Sequence, residues 1–169
     1  HQSRKAKLMS ALFQLAAEQT NEGNAILDGI DEQIVGWADV LAQADPGAAN
    51  PQTPQALSKM RPLADESRKI RAEFVETADA INAGRGSRVP AANSLSSAKA
   101  LKGKVDGAAP SIQGRVNAVV QAARDGQAQQ QTAAEAGGGQ QGGEIRLGQQ
   151  GEGHRSGQRH REVVVQGGG

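Results

Sequence analysis

His154 and His160, with Arg155, Arg159 and Arg161 around them, are the grouping closest to a metal or phosphate site. Neutral imidazoles ligate zinc well, but three neighbouring cations repel a metal, and a glycine-rich backbone preorganises neither ring. No metal and no cofactor is expected. The same arginines stand in a Gly/Gln background without aromatic residues or repeated Arg-Gly steps, so no specific nucleic-acid binding is expected either.

Carboxylates come in pairs at Asp31-Glu32 and Asp65-Glu66. General acid/base work needs two carboxyl groups converging on one substrate. Neighbours on a helix diverge, so these pairs read as solvated faces. Gly84-Arg85-Gly86 with Arg88 has the composition of a phosphate cradle. No strand precedes it and no Lys-Ser/Thr pair follows, so it reads as a connecting turn. No catalytic residue is assigned, and the chain is expected not to be an enzyme.

The remaining chemistry is electrostatic. Residues 84–125 carry seven basic and two acidic side chains, and residues 1–44 carry three basic and six acidic. An acidic helix packed beside a basic one accounts for this asymmetry. A second use of the cations, through Lys99, Lys102, Lys104 and Arg115, is contact with an anionic partner.

Helices must position these groups. In 7–44, Leu8, Leu12 and Leu15, then Ile26, Ile30, Ile34, Trp37 and Leu41, recur at spacings of three and four, which puts them on one side of a helix. The polar stretch Glu18–Asn24 interrupts the stripe, and its Gln19 and Glu22 fall where apolar residues are expected. Gly23 either is tolerated inside one long helix, the preferred reading, or ends one helix before Asn24 caps the next. Pro46, Pro51 and Pro54 then force a break, with Thr53-Pro54 as the expected helix start.

A second helix follows to about Ala83, with Leu63, Ser67, Ile70, Phe74, Thr77 or Ala78, and Ile81 on its stripe and an Asp65–Lys69 pair on its surface. Pro62 predicts a kink or a fresh start. A third runs from about Ala91 to Asp125 through Leu95, Ala98, Leu101 or Lys102, Val105, Ile112, Val116, Val119, Val120 and Ala123. Gly107 and Pro110 again mark a kink or a short interruption, and Gly126 a stop.

Alanine supplies much of the apolar content and aromatic residues only 2%, which suits close helix packing better than a sheet core. There is no cysteine, so disulfides and thiolate metal sites are excluded. No apolar run is long enough to span a membrane. The chain opens on His1, which suggests a processed or excised fragment and leaves its compartment unknown.

The expected fold is all-α: an antiparallel bundle of three long helices, kinked or divided into four, over residues 1–126. Residues 127–169 are expected to form a flexible Gly/Gln-rich tail. Its segments 144–147 and 162–166 are the only candidates for extended structure. The expected core comprises Leu12, Ile30, Ile34, Trp37, Leu41, Ile70, Phe74 and Val116. The function class that fits is a structural, scaffold or adaptor module acting through a protein partner or self-association. A ligand-sensing bundle cut from a membrane receptor is the alternative, and a surface-binding protein using the basic third helix is another.

Overall fold

The computed structural model describes residues 2–137. The expected tail, its two extended segments and the His154/His160 grouping lie outside the described residues, apart from the start of the tail. Three helices of 43, 31 and 47 residues make up an all-α antiparallel bundle: α1 (Gln2–Ala44), α2 (Gln52–Asn82) and α3 (Ala91–Gly137). No strand occurs among the described residues.

Among the described residues the helices are three, not four. α1 continues through Gly23, α2 through Pro62 and α3 through Pro110. Each proline removes a hydrogen bond, but buried Met60 and Leu63 beside Pro62, and Ile112 beside Pro110, anchor the adjoining turns. Gly126 is not a stop. The helix runs to Gly137, because a helical glycine costs only about 1 kcal/mol and the Ala/Gln-rich turns that follow are good helix formers.

The α1–α2 turn is organised by Asp45. Its carboxylate accepts from the Thr53 hydroxyl at 2.6 Å and from the backbone N–H groups of Asn50 (3.0 Å) and Ala49 (3.1 Å). The helix starts at Gln52, ahead of Thr53-Pro54, and its cap is three residues earlier than the expected Thr53. Asn50 Oδ1 accepts from Gln52 N–H at 2.9 Å, so Asn50 caps the helix that begins at Gln52. At the other turn Gly84 takes a positive φ of 71°. Its N–H bonds Ile81 O, and Arg85 N–H bonds Ala80 O, closing α2 in a Schellman motif.

Burial follows a heptad in every helix. On α1 the series Phe13, Ala16, Thr20, Gly23, Leu27, Ile30, Ile34, Trp37, Leu41 and Ala44 is covered, alternating steps of three and four, with Ala17 and Asn24 buried beside it. Thr53, Ala56, Met60, Leu63, Ser67, Ile70, Phe74, Thr77 and Ile81 do the same on α2, and Ala91, Ser94, Ala98, Leu101 and Val105 begin the series on α3. A 3.5-residue period keeps one seam facing its neighbours along a long helix.

The chain divides into two compact units, each taking one stretch of every helix: residues 2–31 and 63–105 in one, 32–62 and 106–137 in the other. In the first, α1 and α2 run antiparallel. Asp31 meets Ser67 and Arg71, Gly23 meets Phe74, and Ala17 clusters with Ala78 and Ile81. α2 and α3 are antiparallel too, Glu66 meeting Lys104 and Glu73 meeting Ser94. Ile30, Ile70 and Phe74 are buried here.

Leu12 is not in the core. It is 51% exposed, because it lies off the heptad seam and before the first α1 residues that have α2 beside them. The internal polar positions are likewise Thr20 and Asn24 rather than Gln19 and Glu22; Glu22 faces solvent.

The second unit buries Ile34, Trp37, Leu41 and Val116. The Trp37 indole Nε1–H donates to Gln113 Oε1 at 3.0 Å, so its polar edge is satisfied while the ring is covered. Arg115 donates to Gln52 at 2.8 Å and to Gln55, joining α3 to the start of α2.

Candidate interaction surface

Of the carboxylates that read as solvated faces, Asp31 and Glu66 instead hold helices together. Asp31, 15% exposed at its side chain, accepts from Arg71 Nη2 at 2.8 Å and from the Ser67 hydroxyl at 2.8 Å. Asp28 shares the same guanidinium nitrogen at 3.0 Å. Asp65 pairs with Arg68, one residue short of the expected Lys69, and Glu66 takes Lys104 at 3.1 Å. Arg85 reaches back to Glu76 at 3.0 Å, so the Gly84–Gly86 segment is a helix-ending turn.

The four candidate anion contacts are divided between the two units. Lys99 stands 3.8 Å from Glu22 and Lys104 is held by Glu66, both in the first unit, where Lys102 is also exposed and has a polar or electrostatic interaction. Arg115 belongs to the second unit. Among the described residues no group of His, Asp and Glu side chains could hold a metal ion, and no helix is long and apolar enough to cross a membrane.

The least accounted-for surface is apolar. Leu8, Met9, Leu12 and Leu15 are 60%, 42%, 51% and 50% exposed. Their setting follows from the packing of the first unit. The first α1 side chains in a cluster with α2 are Phe13, Ala16 and Ala17, which pack together with Ala78 and Ile81 in the last two turns of that helix. Stepping back from the Lys99–Glu22 pair to Ala91, where α3 begins, reaches Gln14 on α1. Residues 2–12 therefore extend beyond the ends of both neighbouring helices, by about 16 Å at 1.5 Å per residue. Only Ser10 in that stretch is even half-covered.

Leu8, Leu12 and Leu15 form their own three–four series, roughly a quarter to a third of a turn around α1 from the core seam. Lys5 precedes it at the same spacing, and Gln19 and Glu22 continue it. The leucine spacing was visible in the sequence; its separation from the core was not, because nothing in leucine periodicity alone says which helix face is covered. Two polar atoms went unanticipated as well. Thr20 Oγ1 and Asn24 Oδ1 are buried with no hydrogen-bond partner among the described residues. Once Leu27, Ile30 and Ile34 fix the heptad, Thr20 is found by counting back one repeat. Compared with known proteins, the chain matches no family model, no curated protein and no solved structure.

Proposed function

We propose that the chain is a helical-bundle module that works by protein–protein contact, with the N-terminal part of α1 as its contact surface. The observation that supports this is the exposed series Leu8, Leu12 and Leu15, beside Met9, on a helix that projects past its neighbours. Apolar side chains grouped on one face are favourable to cover, each fully buried leucine contributing about 1.5–3 kcal/mol. The polar contacts described above serve the packing of the helices, which is the arrangement expected of a scaffold or adaptor rather than of a reaction site.

Photo-crosslinking tests the reading. A photoreactive side chain placed at Leu12, with exposed Lys59 on α2 as the control position, is activated in extract of the source cells. A discrete protein adduct from position 12 and none from position 59 is the expected result. Equal or absent crosslinking from the two positions refutes the reading.

A further inference from the structure

We infer that the surface carried by Lys5, Leu8, Leu12, Leu15, Gln19 and Glu22 is the seam of an antiparallel pairing with a second copy of this chain. The inference rests on the contact-surface reading above and names its partner.

Three observations support it. The first is spacing. These six residues alternate steps of three and four, the period with which helices in long contact present a continuous edge. The second is accessibility. All are exposed except Gln19, which is half-covered, and residues 2–12 have neither α2 nor α3 beside them. Over residues 2–12 a partner's α1 can therefore lie along this edge without displacing a helix of the bundle.

The third is charge. Gln2–Leu15 carries Arg4, Lys5 and Lys7 and no acid, while Glu18 and Glu22 follow on the same helix. A two-fold axis between Leu12 and Leu15 sets Leu12 against the partner's Leu15, Leu8 against its Gln19, and Lys5 against its Glu22. Each overhang then lies along the covered-end portion of the other α1, and both basic ends meet acidic ones. The interface is self-complementary, as two-fold symmetry demands. A parallel pair would instead oppose Lys5 with Lys5 and Glu22 with Glu22.

Lys99 already stands 3.8 Å from Glu22, in a pair whose side chains are both more than half exposed. Rim charges of this kind set register and orientation more than affinity. The leucines supply the affinity. An anionic membrane is the other surface a basic, leucine-bearing helix fits, but Glu18 and Glu22 on the continuing face oppose it.

The test is sedimentation equilibrium of the full chain and its variants from about 1 μM to 500 μM, concentrations spanning weak to moderate affinities. A reversible monomer–dimer equilibrium is expected. Leu12→Lys should weaken it by more than about a hundredfold, since the change enters a symmetric interface twice. Its circular dichroism and melting, measured at low concentration, should match the parent.

Lys5→Glu and Glu22→Lys should each weaken dimerisation, and the double variant should recover it. Recovery is what distinguishes antiparallel from parallel pairing. A chain that stays monomeric, or a double variant no better than the single ones, overturns the proposal. So does binding of the monomer to phosphatidylserine vesicles lost in Leu12→Lys. If the position-12 crosslink then captures a different protein, the contact-surface reading survives and only the second copy is refuted.

Discussion

Gly23→Ala separates a glycine that a helix merely tolerates from one that its packing requires. In an exposed helix interior this change stabilises by about 1 kcal/mol, because glycine loses the most backbone freedom on folding. Position 23 is different. A Cβ there would stand 2.8 Å from the farthest of three Phe74 ring carbons and nearer to the other two. Carbon atoms in contact prefer roughly 3.5–4.0 Å, so ring or helix must retreat by about 1 Å or more. Phe74 is wholly enclosed and has nowhere to go. Overpacking of this kind costs about 1–3 kcal/mol, and the upper part of that range applies. Against the helix gain, the net loss should be about 1–2 kcal/mol. Urea melts followed by circular dichroism measure it. Gly29→Ala and Gly103→Ala are the controls, since a Cβ at either meets nothing within 4 Å, and both should stabilise. Adding Phe74→Leu to Gly23→Ala should show a coupling of at least about 1 kcal/mol in a double-mutant cycle. If Gly23→Ala stabilises as the controls do, Phe74 is not seated on Gly23 and the helix register is wrong.

Asp45→Asn should destabilise by about 1 kcal/mol near neutral pH, since charge-assisted bonds are stronger than neutral ones. The Thr53 hydroxyl, chiefly, lowers the Asp45 pKa; burial opposes it, and the backbone N–H groups of Asn50 and Ala49 add to the lowering. The folded state therefore binds fewer protons than the unfolded one, and this stability is present above the unfolded pKa of about 3.9 and lost as pH falls through the folded value. The difference between parent and Asp45→Asn should narrow in acid; a difference independent of pH counts against the latch. Arg71→Met should cost about 2–3 kcal/mol by leaving the largely covered Asp31 carboxylate without its cation. In urea melts the pair Arg71→Met with Asp31→Leu should recover most of that loss, and failure to recover would mean the ion pair is not the source.

The two later helices were easier to read than the first. On α2 the stripe Leu63, Ser67, Ile70, Phe74 and Ile81 is buried in the register that periodicity gave, and on α3 Leu95, Ala98, Leu101, Val105, Ile112, Val116 and Val119 are as well. Large apolar residues mark both seams. In the N-terminal half of α1 the seam is Phe13, Ala16, Thr20 and Gly23 instead. From Ala16 to Gly23 its side chains are small because α2 brings the Phe74 ring to Gly23 and the turn of Ala78 and Ile81 to Ala17. Volume is complementary across the contact, and one strand of sequence shows only its own half. The eye therefore follows Leu8, Leu12 and Leu15 to a face the bundle does not use. A helix that spends its leucines off the seam, at heptad spacing and at or beyond the ends of its neighbours, has a second edge to cover. The misplaced Leu12 and the proposed partner surface are thus one physical fact.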